Sequence, residues 1–156
     1  MNVFKLLVSI LACQVAGGIG AIFTAQSVSN WYAALNRPYF SPPNWIFAPV
    51  WTILYLLMGL SLYLVWKKGL ENKQVKTGVM VFLFQLFLNS LWSFLFFGLQ
   101  SSFYAFIGII FLWLAILITI IIFSKISKKA AYLLLPYIIW VSFAALLNFN
   151  IWQLNP

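Results

Sequence analysis

Charge is almost absent from this chain, and its few positions decide what the chain can fold into. Nine basic residues and a single acid, Glu71, divide it into charge-free runs at 6–36, 38–66, 77–124 and 130–156. A helix crosses a bilayer core of about 30 Å with roughly 20 apolar residues. In lipid each backbone donor and acceptor must be satisfied inside the span, which leaves only helices and closed barrels. The first, second and fourth runs each hold one helical crossing. The third, 48 residues long, holds two, with a turn offered by Gly98-Leu99-Gln100-Ser101-Ser102. A barrel would instead show polarity alternating in segments of about ten residues. At 65% hydrophobic, 6% charged and a mean hydropathy of +1.03, the chain shows no such alternation. The predicted fold is an all-α integral membrane bundle, one domain over residues 1–156. Its five transmembrane helices are expected at 5–27, 46–66, 78–97, 103–123 and 131–153, with a long Pro/Trp-rich loop between the first two.

Five crossings put the N-terminus and the 67–76 and 124–129 loops on one side. That side carries Lys5, Lys67, Lys68, Lys73, Lys76, Lys125, Lys128 and Lys129, and the other side only Arg37. Cytoplasmic loops collect Lys and Arg, so the N-terminus is predicted inside, with the C-terminus and the 28–45 loop outside. The net charge of +8 then belongs to topology and anionic headgroups rather than to nucleic acid. Lys5 followed by an apolar run is also how a secretion signal begins. Here the run continues past Cys13 to Phe23, longer than a usual signal core and with no clear small-x-small cleavage site, and it reads as the first span. Cys13 is a lone thiol within it.

Between Trp31 and Met58 four prolines (Pro38, Pro42, Pro43, Pro49) and Arg37 lie among eight Trp, Tyr and Phe residues. Proline fixes the backbone and removes a donor. The segment is expected to be a rigid aromatic loop that enters a helix near Pro49. Such a loop can roof a pocket for a flat apolar ligand, and it equally fits an aromatic belt at the membrane surface.

The chain has no His and no Asp, and Glu71 lies in a lysine-flanked loop. Paired-carboxylate catalysis, a Ser-His-Asp triad and a zinc site of the usual kind lack their residues. No predicted span holds an ionisable carboxylate or amine at mid-depth, the usual mark of ion coupling. The remaining chemistry is that of aromatic faces, amides, hydroxyls and shape. Gln85 and Asn89 share one face of the third span with Trp92 a turn beyond, accompanied by Ser90 and Ser93. The fifth span carries Ser142, Asn148, Asn150 and Gln153 with Trp140 and Trp152, and Pro136 is expected to kink it. Amides in lipid must find partners on other helices or face a cavity. Small residues in the first span (Ala16/Gly20, Gly17/Ala21, Ala21/Ala25) fit close helix packing, within the chain or against a second copy.

The order of these pieces resembles a bacterial member of the tryptophan-rich sensory protein / translocator protein (TspO) family. One block runs from Trp31-Tyr32 through Arg37-Pro38, Pro42-Pro43, Trp45 and Pro49-Val50-Trp51 to Met58-Gly59. A second holds Gln85-Leu86, Leu88-Asn89, Trp92-Ser93 and Phe96-Phe97-Gly98. The third holds Pro136-Tyr137, Trp140, Phe143-Ala144, Leu147-Asn148 and Trp152. Together they extend across nearly the whole chain.

The resemblance implies a five-helix bundle in the bacterial cell membrane, commonly a homodimer. It implies binding of porphyrins, protoporphyrin IX among them, and other flat hydrophobic molecules between the helices. The porphyrin would be ligand or substrate, with no separate cofactor. Carried over by position, the ligand-binding residues are Tyr32, Pro42, Trp51, Asn89, Trp92, Trp140, Phe143 and Ala144. Bacterial relatives are also associated with light- and oxygen-dependent porphyrin degradation, for which Trp51 and Trp140 are the matching indoles. The alternatives are a transporter or receptor without chemistry, and a regulatory partner of another membrane protein. Two departures matter. The Tyr and basic residue of the mammalian cholesterol-recognition pattern are missing from 147–153, and Gly108 stands where several relatives place an acid.

Overall fold

The computed structural model describes residues 1–156 and contains five membrane-length helical spans and no strand. Helix α1 covers Val3–Ser27, and a short α2, Trp31–Ala34, follows it. A 3-10 turn at Asn44–Ile46 leads into α3, Phe47–Trp66. Helix α4, Lys73–Ser93, passes into a π turn at Phe94–Gly98, where the Leu99 amide reaches back to the Phe94 carbonyl at 2.8 Å. Helix α5 covers Ser102–Ile126, and the last span is divided into α6, Lys128–Leu133, and α7, Leu135–Leu154.

The expected spans are all present, and their ends differ for local reasons. Helix α4 starts five residues earlier than hydropathy suggests, because the Asn72 side chain accepts from the amides of Gln74 (2.9 Å) and Val75 (3.4 Å). Such a cap lets a helix begin in polar sequence. Ser101 does the same for α5 by accepting from Tyr104 at 3.2 Å. The 124–129 loop shrinks to Ser127, which ends α5 and caps α6. The Pro/Trp-rich loop is not wholly irregular, since Trp31–Ala34 forms one helical turn capped by Asn30.

Pro136 was expected to kink a continuous helix. Instead the helix stops at Leu134 and restarts, with Pro136 in the first turn of α7. Proline is tolerated there because the first-turn amides have no intrahelical acceptor.

Around the bundle, α1 packs against α3 and α4, α4 against α5, and α5 against α7. The ring closes where α3 meets the fifth span, mainly through α6 and at few places along α7. The bundle is therefore tight at the lysine end and splayed at the loop end. At the tight end Met58, Phe82, Ile116, Phe123 and Ala130 are completely buried, and Phe82 stacks on Phe123 at 5.8 Å. Gly59 lets α3 approach α1 closely, since a β-carbon there would lie 2.7 Å from the Ile10 backbone.

Candidate ligand-binding site

The splayed end encloses a cavity of about 640 Å³, within the range of small-molecule sites. Four helices and the loop supply its walls. From α3 come Phe47, Trp51 and Tyr55, and from α4 and its π turn come Trp92, Ser93, Phe96 and Phe97. Trp140, Ala144, Leu147 and Asn148 line it from α7, and small residues of α1 (Gly17, Gly18, Ala21, Ala25) form the remaining wall. Tyr32, Asn44 and Trp45 cover it from the loop.

The aromatic walls are fixed by contacts among themselves. Trp51 stacks on Tyr55 at 5.5 Å and meets Tyr137 edge-on at 6.4 Å. Trp92 stacks on Phe96 at 5.3 Å, and its indole N–H donates to Asn148 Oδ1 at 3.0 Å. Asn148 in turn donates to the Ser102 carbonyl at 2.8 Å, so α4, α5 and α7 share one buried amide. Trp140 lies against Phe143 at 5.5 Å and Phe47 at 6.1 Å.

Beneath the cavity runs a layer of hydrogen bonds. The Tyr55 hydroxyl donates to Asn89 Oδ1, and Asn89 Nδ2 donates to the Tyr137 hydroxyl at 2.7 Å. Tyr137 donates onward to Gln85 Oε1 at 2.8 Å. This chain ties α3, α4 and α7 together and leaves no member without a partner, as buried amides in lipid require. Gly17 fits against its upper end. A β-carbon at that position would lie 2.6 Å from the Tyr55 ring.

Two polar atoms of cavity-lining residues are buried without any partner: the Tyr32 hydroxyl and the Trp140 indole nitrogen. Tyr32 is only 3% exposed. Buried polar groups are paired in the great majority of cases; the other two unpartnered ones are Ser9 Oγ on α1 and Ser41 Oγ in the loop. The arrangement offers broad π faces on several sides and a few polar side chains, among them Gln14, Asn44, Thr52 and Ser93. No carboxylate, imidazole or thiol lines it.

The sequence profile of the TspO/MBR family matches residues 9–153. The chain belongs to the TspO/MBR family. It is 49% identical over 156 residues to the tryptophan-rich protein TspO of Archaeoglobus fulgidus, covering 99% of each chain. It is 44% identical over 155 residues to the tryptophan-rich protein TspO of Chlorobaculum tepidum, covering 99% of this chain and 98% of the relative. It is also 35% identical over 139 residues to the human translocator protein, covering 88% of this chain and 82% of that protein. With five apolar spans and this membership, the chain is an integral membrane protein.

In this TspO/MBR protein five of the eight residues proposed from sequence line the cavity: Tyr32, Trp51, Trp92, Trp140 and Ala144. The other three do not. Asn89 belongs to the hydrogen-bonded layer beneath, where it supports Tyr55. Phe143 lies behind the wall, against Trp140 and 6.2 Å from Phe40. Pro42 borders an outer, more open basin on the loop, shared with Arg37, Ser41 and Pro43. The α1 wall was missed as a site. Its small residues gave a packing signal, which Gly17 and Gly20 obey, whereas a β-carbon at Gly18 would meet nothing within 4 Å.

Proposed function

We propose that this membrane protein binds flat hydrophobic tetrapyrroles, with protoporphyrin IX as the type ligand, in the loop-end cavity. The observation that carries this reading is the convergence of Trp51, Trp92 and Trp140 on one cavity together with the unpartnered polar atoms of Tyr32 and Trp140. Indole faces stack on a macrocycle, each contact adding about 0.5–1.5 kcal/mol beyond area burial. The lysine asymmetry supports a cavity at the non-cytoplasmic end of the bundle, with the N-terminus inside. Trp51 and Trp140 flank the bound pigment and are the indoles available to a light- and oxygen-dependent breakdown of it, in which the pigment supplies the excited state.

The first test is a dark titration of the bilayer-embedded protein with protoporphyrin IX, followed by its absorption band, with Trp51→Phe and Trp140→Phe variants alongside. Saturable binding weakened by these changes is expected. Binding indifferent to both overturns the assignment. Illumination of the complex under oxygen and under argon then tests the chemistry, and equal pigment loss in both removes the photo-oxidative step.

A second reading, carriage of lipophilic molecules without chemistry, is favoured by one feature. Several residues that border the cavity are exposed, Gly18, Ala21 and Ala25 on α1 and Ala48 and Thr52 on α3. That reading expects flux of the pigment across vesicles with its spectrum unchanged.

A further inference from the structure

The loop end of the bundle holds one charged side chain, Arg37, and no aspartate or glutamate; the only acid, Glu71, lies between α3 and α4 at the opposite end. Arg37 is nonetheless held in place from three directions. Its backbone neighbour Asn36 is clamped to the end of α7, donating its amide to Asn155 Oδ1 at 3.1 Å and accepting from Asn155 Nδ2 at 2.8 Å. The guanidinium lies 4.9 Å from the centre of the buried Tyr32 ring. Its Nη1 donates to Asn44 Oδ1 at 3.4 Å. A guanidinium has five N–H donors in a planar fork that matches a carboxylate, and Asn44 is its one hydrogen-bond acceptor here.

The surroundings connect this group to the cavity. Arg37 borders the outer basin with Ser41, whose hydroxyl is buried and unpartnered. Asn44 and Trp45 border both the outer basin and the inner cavity. Tyr32 carries the guanidinium on its ring while lining the inner cavity. A planar molecule on the inner aromatic walls that reaches the loop therefore presents its edge to a positioned cation that no carboxylate side chain pairs.

We infer that Arg37, in the basin it shares with Ser41, forms an anion subsite at the mouth of the cavity, which selects flat hydrophobic ligands bearing a carboxylate on one edge. This rests on the cavity being the tetrapyrrole site. The subsite makes the protein a reader of amphiphiles that lie at the membrane surface with their acid groups outward, rather than of any flat apolar molecule. The contact is partly solvated, so its effect is moderate and falls as salt rises.

The test compares protoporphyrin IX with its dimethyl ester, titrated in the dark into the protein in phosphatidylcholine nanodiscs. The quantity read is the ratio of the two affinities, wild type against variant, which cancels the different partitioning of acid and ester into lipid. Arg37→Gln is expected to lower the acid-to-ester ratio about fivefold while leaving ester affinity unchanged, and Arg37→Lys to retain part of the preference. Unchanged ester affinity also reports that the variant is folded. A ratio that stays the same in Arg37→Gln overturns the subsite and leaves the cavity standing. Failure of both pigments to bind saturably overturns the cavity reading beneath it.

Discussion

The hydrogen-bonded layer and the cavity above it use the same residue types for opposite ends. Below, Tyr55, Asn89, Tyr137 and Gln85 pass hydrogen bonds from helix to helix. Above, Tyr32 and Trp140 carry polar atoms that bond nothing in the protein, and the helices stand apart where α3 and α7 diverge. The difference teaches how to tell a structural polar group from a functional one in a lipid-embedded bundle. A structural group spends its donors and acceptors on other helices. Tyr32 and Trp140 keep theirs unspent, at some cost in stability, on residues that line a space another molecule can enter.

The comparison breaks most easily at Asn89. Asn89→Ala leaves the Tyr55 hydroxyl without a partner and Tyr137 with Gln85 alone, and we expect a loss of about 2–3 kcal/mol in detergent unfolding. A loss below half of that would mean the layer is not what holds the helices together. Next comes the Gly17 and Gly18 pair. Gly17→Ala forces a methyl into the Tyr55 ring and should cost about 1–3 kcal/mol by overpacking. Gly18→Ala meets open space and should be neutral or slightly stabilising, since alanine favours a helix over glycine. Equal effects at both positions would erase the distinction between packed and open faces of α1.

Smaller effects sharpen the upper half. Trp51→Phe keeps a ring against Tyr55 but reduces the π face, and pigment affinity should fall about three- to tenfold with stability nearly unchanged. Trp140→Phe removes an indole nitrogen that has no protein partner. Its unfolding free energy should move by no more than about 0.5 kcal/mol, while affinity falls. A stability loss as large as that of Asn89→Ala would show Trp140 to be structural.

Much of the fold could be read from the sequence because lipid imposes a single strong rule. Four charge-free runs, the third long enough for two crossings, became five spans, and polar caps such as Asn72 and Ser101 moved their ends by a few residues. The shared face of Gln85 and Asn89 could be read from spacing alone. Their partners could not, since Tyr55 and Tyr137 are 34 and 48 residues from Asn89 along the chain. Motif position brought Trp51, Trp92 and Trp140 to the cavity. It also brought Asn89 and Phe143, which stand one layer back. Position along a motif does not report whether a side chain forms the wall or supports it. The α1 wall was illegible for a related reason: Gly17 and Gly18 are chemically identical, and only the direction of each missing β-carbon separates them.

Filling the loop-end cavity asks whether the pigment binds there. Gly18→Trp from α1 and Ala144→Trp from α7 place bulk into the cavity from two of its walls, Gly18 where a β-carbon meets nothing and Ala144 where the residue borders the space. Protoporphyrin IX affinity of each variant would be measured beside its unfolding midpoint. We predict that affinity falls at least about tenfold while the midpoint stays near that of the unaltered protein. Full affinity in both folded variants would contradict the account and place the pigment elsewhere on the bundle.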